Sequence, residues 1–358
     1  MIGLVMGKFY PPHAGHHALI RQAAAQCDEV VVVVVASVAE SIPLEDRVAW
    51  LREEHAGERT VRIVGCRCDA PLDLTDDVVW RAHVAVVAAA ARAAGAAAVD
   101  AVYSGEQYGA ELAARLGAKH VRVVRDARSS TAVRRDLTAT WDELAPATRA
   151  GLTTRFVVLG AESSGTTTVA AALASRLRDR GEVWARTACV SEYGREYTQL
   201  KWSREGGELD ALVWNRDDFD LVAAEQTRAE ELAARRGSPV LVCDTDAFAT
   251  AIWERRYLGA AARTGPPWAE RPAANVYLLT DHEDVPWHDD GLREGDLAIR
   301  AAMTGWFADA LTAARRSWVL LTGSPAERVE LALRTVDQVL TRRLAFSVPF
   351  TGPGFGSS

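Results

Sequence analysis

The hydrophobic pattern of residues 1–125 is typical of a parallel α/β sheet. Apolar runs at 2–7, 30–35, 61–64, 99–103 and 121–124 have the character of strands that are covered on both faces. Segments with a helical pattern separate them, near 46–55, 77–94 and 106–116, and another helix runs to about Cys27. Since parallel strands need crossover helices, this repeat predicts a βα sheet that binds ligands at the carboxyl ends of its strands.

A second pattern of strand, loop and helix begins at residue 156. The apolar strand 156–159 is followed by a glycine-containing loop and a helix to about Arg180, and a later strand at 240–243 ends in Asp244-Thr245-Asp246. The segment 141–154 is polar and lacks strand character, and 346–358 has Pro, Gly and Ser without periodicity. We therefore expect domains at 1–140 and 155–345, a linker at 141–154 and a loose tail at 346–358.

Composition narrows the class of protein. A chain of 358 residues suits two domains, and its net charge of −7 argues against nucleic acid as a partner. The N-terminus shows no secretion signal, and the apolar run 82–99 is rich in alanine and interrupted by Arg92 and Gly95, so we expect a packed helix and no membrane insertion. Five cysteines without metal-site spacing are expected to be reduced thiols in the cytoplasm.

Two polar clusters follow strands of the first sheet. One contains His13 and His16 with Lys8 nearby, and the other is Ser129-Ser130-Thr131 with Arg134. Taken alone, an H-x-x-H pair more often occurs by chance at the surface or at a helix cap, and S-S-T could simply cap a helix. Together, each after a strand and at a helix start, they offer imidazoles, hydroxyls, backbone amides and a guanidinium to one anion. The pair predicts a single phosphate site.

The loop after strand 156–159 resembles a phosphate-binding loop with one change. Gly160 and Gly165 have the G-x-x-x-x-G spacing, whose amides bind phosphate, but the lysine expected next is Thr166. Thr167 supplies the hydroxyl that is typical of a Mg²⁺ ligand, and Asp244 at the end of a later strand is the expected second ligand or, alternatively, a helix cap. The residues expected to bind phosphate here are Gly160, Ser163, Ser164, Gly165, Thr166 and Thr167.

The first clusters resemble the H-x-G-H and S-S-T-x-x-R signatures of the nucleotidyltransferase superfamily. The stretches GKFYPPHAGH, PLEDRVAWL and Ser104 to Gly109 are similar to the nicotinamide mononucleotide adenylyltransferase domain of bifunctional NadR-type proteins. The resemblance implies that the mononucleotide attacks the α-phosphorus of ATP, with Mg²⁺ on ATP, and that pyrophosphate leaves and NAD forms. It implies that His13 and His16 hold phosphates, that Lys8 and Arg134 draw off charge, and that the remaining ligand contacts come from Gly7, Phe9, Gly15, Ser129, Ser130 and Thr131. Trp50 and Trp80 could stack on a ring, although each is more often a core residue.

The second half resembles the ribosylnicotinamide kinase domain of the same family through E-S-S-G, R-E-Y, D-T-D and W-x-D-D-G-L-R. This implies transfer of the ATP γ-phosphate to the 5′-hydroxyl of nicotinamide riboside (NR). Candidates for the base are Glu192, Asp244 and Asp246, with Asp246 preferred. Arg293 or Arg195 could cover the phosphoryl group, and Trp253 or Trp287 could stack on the cationic nicotinamide.

The implied fold is α/β, with a Rossmann-like nucleotidyltransferase sheet followed by a P-loop kinase-like parallel sheet. Losing the loop lysine typically costs on the order of 10²–10³ in rate unless another cation replaces it. Alternatives are a second domain that only senses nucleotides, or a different phosphorylated acceptor such as phosphopantetheine or flavin mononucleotide. Met1 leads directly into the first strand, so we expect no N-terminal helix-turn-helix module; a homo-oligomer is compatible with the sequence.

Overall fold

The computed structural model describes residues 1–124, 130–259, 275–283, 285 and 297–347. The chain divides into two compact units. The first comprises Met1–Gly151 and the segment that begins at Leu344, and the second comprises Leu152–Arg343. Each unit is built on its own parallel sheet.

The described strands of the first unit are β1 (Ile2–Gly7), β2 (Glu29–Ala36), β3 (Val61–Arg67), β4 (Ala101–Ser104) and β5 (Lys119–Arg122). They pair in parallel in the order β3-β2-β1-β4-β5. Val30 to Val34 of β2 are fully buried, and their side chains alternate between two core clusters: Val32 packs on one face of the sheet and Val33 on the other. The chain crosses between the two halves of the sheet at β1 and β4, which is where an open parallel sheet binds ligands.

Among the described residues, the α-helices of the first unit are α1 (Ala14–Ala24), α2 (Leu44–Glu54), α3 (Asp77–Ala93), α4 (Gly109–Leu116), α5 (Ser130–Arg135) and α6 (Pro146–Leu152). The alanine-rich run predicted as a packed helix forms most of α3, which buries Trp80 and Val87 against the sheet. Trp80 is therefore a core residue and not a stacking partner for a ligand. In the described parts of the chain, no helix combines the length and apolar character needed to cross a bilayer.

The segment predicted as a linker has regular structure. Trp141 begins a short 3-10 helix and is almost fully buried, and α6 follows it. α6 packs closely on the first unit, since a Cβ atom built at Gly151 would lie 2.3 Å from the Trp50 ring. Any side chain at this position would collide with Trp50. The polar composition of 141–154 does not reveal this packing, because the partner of Gly151 is Trp50, which is distant in the sequence.

The described strands of the second unit are β6 (Thr154–Gly160), β7 (Ala188–Val190), β8 (Val240–Asp244), β9 (Asn275–Thr280) and β10 (Ser317–Leu321). They pair in parallel in the order β10-β9-β6-β8-β7. Every residue of β6 is buried, as expected for a central strand. Val158 of β6 is in register with Asp244 of β8, so the end of β8 lies beside the loop that follows β6.

The described α-helices of the second unit are α7 (Thr166–Arg178), α8 (Tyr193–Glu205), α9 (Arg216–Arg236), α10 (Ala247–Leu258), α11 (Leu297–Ala313) and α12 (Pro325–Arg343). α7 starts at the phosphate loop, with Gly165 as its N-cap in the left-handed region at φ +89°. Only glycine adopts this conformation without strain, which explains the second glycine of the loop.

The predicted loose tail makes defined contacts at its start. Phe346 packs against Tyr10, and Ser347 bonds to Tyr10 and Ser41. The prediction of a loose tail is therefore wrong for these two residues. The rest of it, 348–358, lies outside the described residues.

Candidate functional site

The first candidate site is formed where β1 ends and α1 begins. His13 is the N-cap of α1, and its Nδ1 accepts a hydrogen bond from the Gly15 N–H at 3.1 Å. His16, in the first turn, accepts from the His13 N–H through its own Nδ1 at 3.3 Å. Because both Nδ1 atoms are acceptors, the proton of each neutral ring is on Nε2. The helix cap therefore fixes both imidazoles as Nε2–H donors.

These two donors converge on one oxygen atom. The Nε2 atoms of His13 and His16 lie 3.1 Å and 3.3 Å from the Ser130 hydroxyl, and the two rings are 3.9 Å apart. Ser130 begins α5, so the structure brings together the two clusters that the sequence predicts to share a site. An oxygen of a phosphate group could accept the same two bonds that the Ser130 hydroxyl accepts.

Arg134 lies at the other end of α5. Its guanidinium donates to the Tyr10 carbonyl at 3.1 Å and to the Thr131 hydroxyl at 3.4 Å. Burial lowers the pKa of Arg134, although an arginine remains charged. Ser129, the remaining member of the predicted cluster, lies outside the described residues.

Lys8 is held by an ion-pair cluster that sequence analysis missed. Its ammonium lies 3.0 Å from the Glu40 carboxylate, whose other oxygen accepts from Arg47 at 2.6 Å. The side chains of Glu40 and Arg47 are fully buried, and Arg47 also donates to the Lys8 carbonyl at 3.0 Å. Arg47 lies within the stretch PLEDRVAWL, which carries part of the family resemblance, but its partner Glu40 lies outside that stretch and was not predicted.

Phe9 has a different place from the one predicted. Its side chain is 1% exposed, belongs to the core cluster and packs on the His16 ring at 4.8 Å between centroids. The predicted ligand contact by Phe9 is thus limited to its backbone, and the ring supports His16. Gly7 lies under this ring, since a Cβ built there would be 3.3 Å from it.

The stretch Ser104 to Gly109, which resembles part of the adenylyltransferase domain, lies at the end of β4, the neighbour of β1. The Ser104 hydroxyl accepts from the Glu106 N–H at 2.9 Å and closes the turn into α4. A Cβ atom at Gly109 would lie 2.6 Å from the Ser104 side chain, so this turn requires glycine. The stretch therefore lies at the end of the strand next to β1, at the crossover between the two halves of the sheet.

The second candidate site is the loop between β6 and α7. Gly160 ends β6 against Thr280, where a Cβ atom would lie 2.2 Å from the threonine hydroxyl. The Ser164 side chain is fully buried and bonds to Thr280 at 2.7 Å and to the Ala161 carbonyl at 2.6 Å. The Ser164 N–H also donates to the Ala161 carbonyl, at 3.2 Å, so both polar groups of this residue bond within the fold and the predicted phosphate contact by Ser164 is not supported.

Two buried arginines hold the outer side of this loop. Arg300 donates to the carbonyls of Glu162 and Ser163, each at 3.0 Å, and Arg328 donates to that of Ser164 at 3.0 Å. Burial and the nearby charge of Arg328 lower the pKa of Arg300. With its carbonyls bound, the loop keeps a fixed backbone geometry. Sequence analysis missed both residues; the only signal was a charge at a buried helix position.

Thr167 and Asp244 meet at the start of α7. The threonine hydroxyl donates to the carboxylate at 2.6 Å. Burial, helped by the negative charge of Glu192, raises the pKa of Asp244 to about 6, although Thr167 and Arg195 act in the opposite direction. The pair is a hydroxyl and a buried carboxylate, which is the oxygen donor set that Mg²⁺ prefers. Thr166 occupies the position where a lysine was expected.

An aromatic pocket opens beside this pair. It is lined by Glu192, Arg195 and Thr245 and by the aromatic residues Trp214, Trp253 and Tyr257. Tyr257 is stacked with both tryptophans, with ring centroids 5.1 Å from Trp214 and 6.3 Å from Trp253. Glu192, Arg195 and Trp253 were predicted from the sequence, whereas Trp214 and Tyr257 lie outside the motifs and were missed.

Asp246, the preferred candidate for the kinase base, caps α10. Its carboxylate accepts from the Ala249 N–H at 3.2 Å, the Tyr277 hydroxyl at 2.9 Å and the Asn275 amide at 3.4 Å. The side chain is buried and its bonding capacity is used within the fold, so its placement does not support a role as base. Arg293 and Trp287 lie outside the described residues.

Known protein families match both units of the chain. A cytidylyltransferase-like family model matches residues 4–136, and an AAA domain model matches residues 155–328. The trifunctional NAD biosynthesis/regulator protein NadR of Escherichia coli K12 is 25% identical over 313 residues, covering 82% of this chain and 71% of that protein. NadR of Salmonella typhimurium LT2 is 25% identical over 311 residues, with the same coverage.

Two solved structures share the fold. A NadR protein in complex with NR has a TM-score of 0.62 and 20% identity, covering 94% of this chain and 95% of that one. A NadR protein in complex with NAD and AMP-PNP has the same score and identity, covering 99% and 98%. The predicted fold class, two parallel α/β sheets of nucleotidyltransferase and P-loop type, is confirmed.

Proposed function

We propose, because this chain is a homologue of the NadR proteins, that it makes NAD by adenylyl transfer in its first unit and phosphorylates nicotinamide riboside in its second. The observation that carries the first activity is the convergence of two Nε2–H donors on one oxygen position at Ser130. The homologous NadR that holds NAD and AMP-PNP supports NAD and ATP as ligands.

The first reaction needs alignment and charge stabilisation. An oxygen of the mononucleotide phosphate forms a bond to the α-phosphorus of ATP, the bond to the bridging oxygen of the β-phosphate breaks, and pyrophosphate leaves. His13 and His16 would donate their Nε2 protons in hydrogen bonds to phosphate oxygens. Arg134 and Lys8 would stabilise the charge that develops on pyrophosphate. No residue has to form a covalent intermediate.

The test of this activity is a variant that removes one donor. His16→Ala should abolish NAD formation from nicotinamide mononucleotide and ATP, while the circular dichroism spectrum and the melting temperature of the chain stay close to those of the parent. Phosphopantetheine and flavin mononucleotide serve as control acceptors. Retained activity in the variant, or a faster reaction with either control acceptor, would reject the proposal.

For the second activity the aromatic pocket is the supporting observation. Trp214, Trp253 and Tyr257 suit the cationic nicotinamide ring, and the NadR complex with NR supports this ligand. Because Asp246 is a helix cap, we assign Glu192 as the carboxylate that orients the 5′-hydroxyl and accepts its proton. The proton moves to Glu192 as the hydroxyl oxygen bonds to the γ-phosphorus and ADP leaves.

Thr167 and Asp244 would hold Mg²⁺ in this unit. A buried carboxylate with a raised pKa is an anion that lacks full compensation, and a divalent cation would supply it. When bound, Mg²⁺ neutralises charge on the phosphate oxygens of ATP. The backbone amides of the loop and the N-terminus of α7 would bind the phosphates themselves.

Because Thr166 replaces the loop lysine, the activity to test in the second unit is the transfer of phosphate. We propose that Arg195 replaces the missing lysine, since it lines the pocket and its charge acts on Asp244. The alternative is a nucleotide-sensing unit without turnover. Incubating the chain with ATP, Mg²⁺ and nicotinamide riboside separates the two. Formation of the mononucleotide, or of NAD from it, supports the kinase, and the absence of both products in a chain that makes NAD from supplied mononucleotide supports the sensor. The cytoplasmic location and any oligomeric state stay predictions.

A further inference from the structure

Tyr10 lies at the centre of the contacts that orient Arg134. It is fully buried, and its carbonyl oxygen accepts the 3.1 Å bond from the Arg134 guanidinium. Its ring also faces two guanidinium groups, with the Arg134 and Arg47 carbons 5.8 Å and 4.6 Å from the centroid. Such contacts stabilise both the ring and the cations. The position of Tyr10 therefore determines where Arg134 lies.

The Tyr10 hydroxyl belongs to a closed circuit of hydrogen bonds. The Ser347 N–H donates to the Ser41 hydroxyl at 3.4 Å, that hydroxyl lies 2.6 Å from the Tyr10 hydroxyl, and Tyr10 donates to the Ser347 carbonyl at 3.3 Å. The Ser41 N–H also donates to Tyr10, at 2.9 Å. One arrangement of protons satisfies all four bonds, because Ser41 then donates to Tyr10 and Tyr10 donates to Ser347. Bonds in such a chain polarise and strengthen one another.

The same short segment also covers the ring of Tyr10. Phe346 meets it edge to face, with centroids 5.4 Å apart and an angle of 78° between the rings. Aromatic pairs of this geometry contribute beyond the area that they bury. Residues 344–347 thus contact Tyr10 through both backbone and side chain, although 337 positions separate Tyr10 from Ser347 in the sequence.

We propose that residues 344–347, here termed the C-terminal strap, position Tyr10 and through it Arg134 for adenylyl transfer. The strap touches no substrate in this proposal; it is a positioning element. The proposal rests on the adenylyltransferase function given above. Since Arg134 acts on charge that develops only as pyrophosphate leaves, loss of the strap should lower kcat more than it raises KM.

Two truncated chains test the proposal. A chain ending at Arg343 lacks the strap, and a matched chain ending at Val348 keeps it, with the Ser347 carbonyl still in an amide. We expect kcat for NAD formation to fall about tenfold or more in the shorter chain only, with KM for the mononucleotide changed by less than about twofold. Equal kcat values in the two folded chains would overturn the proposal.

Hydrogen exchange provides a readout that does not depend on activity. Backbone amides in peptides covering residues 8–16 should exchange faster in the chain that ends at Arg343 than in the one that ends at Val348. If neither chain nor the full chain makes NAD, the proposed function fails, and the exchange data still test the strap. If exchange is the same in the two truncated chains, or is faster in the shorter chain while kcat is unchanged, the strap does not position Tyr10 and Arg134.

A substitution in the full chain covers the case in which the shorter chain does not fold. Phe346→Ala should lower kcat in the same direction as the truncation, and Phe346→Tyr, which keeps the aromatic edge, should restore it. A role limited to stability would lower the melting temperature without this change in kcat. If Phe346→Ala and Phe346→Tyr have the same kcat as the parent chain, the strap does not position the site.

Discussion

The hydroxyl of Thr167 and the carboxylate of Asp244 lie 2.6 Å apart, and this bond is one of the few interactions that compensate a buried anion. The pKa of Asp244 is raised to about 6 from 3.8, chiefly by burial. When folding raises the pKa of a carboxyl group, the folded state favours the protonated form of that group. Its contribution to stability is therefore present at low pH and is lost as the pH rises from about 3.8 through about 6.

Asp244→Asn should consequently stabilise the second unit while it abolishes kinase activity. At pH 7 in the absence of Mg²⁺, the free energy of unfolding should rise by about 1–3 kcal/mol, because the buried charge is gone. Denaturation followed by tryptophan fluorescence measures this. Asp179→Asn, an exposed carboxyl at the end of α7, is the control and should change little. A destabilised Asp244→Asn chain would show that the ionised carboxylate supports the fold.

The first unit should lose stability in mild acid through His17. Its Nδ1 bonds to His55 Nε2 at 2.9 Å, and His55 bonds to Glu58 at 2.8 Å. Burial lowers the pKa of His17 to about 3, and electrostatic interactions with His55, Arg21 and His13 act in the same direction. A histidine buried in the neutral form contributes stability that is present above about 6.5 and lost as the pH falls toward about 3.

His17→Gln should therefore flatten the pH dependence of unfolding below pH 6.5. Each titrating group contributes at most about 1.4 kcal/mol per pH unit to the slope, so the difference between parent and variant should approach that value between pH 6 and pH 4. Urea denaturation at several pH values provides the measurement. Equal slopes in parent and variant would exclude His17 as the titrating group.

Glu40 should be far more important for stability than other carboxylates of the first unit. Glu40→Gln removes the anion between two cations, one of which, Arg47, is fully buried. Breaking a buried pair in this way typically costs about 3–5 kcal/mol. Glu45→Gln is the matched control, since Glu45 is exposed and its pair with Arg67 should be worth about 1 kcal/mol or less. Similar melting temperatures for both variants would contradict the prediction.

The replacement of the loop lysine can be tested at two positions. If Arg195 supplies the missing charge, Arg195→Ala should lower the rate of nicotinamide riboside phosphorylation by about 10²–10³. Thr166→Lys should then raise the parent rate by less than about tenfold, yet rescue Arg195→Ala. The summed steady-state rates of mononucleotide and NAD formation from nicotinamide riboside, measured in the four chains, give the double-mutant cycle. A large gain from Thr166→Lys in the parent would show that no cation fills the position.

Local sequence information was sufficient where a motif directly follows a strand. His13 and Ser130 come after strands of one parallel sheet, so the carboxyl ends of those strands bring them together, as their hydrogen bond shows. Partners that come from distant helices could not be predicted in this way. Arg300 and Arg328 bind the phosphate loop from helices more than a hundred residues later, and Glu40, which follows β2, pairs with Lys8, which follows β1.

Asp244 and Asp246 show the limit of a motif. In D-T-D either carboxylate could face the loop, and the sequence does not reveal which one does. In the structure Thr245 adopts φ +68°, and this turn leaves Asp244 at the strand end while Asp246 becomes the cap of α10. The backbone angle of Thr245 therefore decides which aspartate faces the loop, and residue type alone does not predict such an angle.

The strap also sets the time at which the first unit is completed during synthesis. Tyr10 is made 337 residues before Ser347, a gap of roughly 20–70 s at ribosomal elongation rates. The first sheet can fold in that interval, but the circuit around Tyr10 closes only when translation has passed through the whole second unit. A ribosome that stops early would thus release a folded nucleotidyltransferase sheet whose Arg134 is not yet held in place.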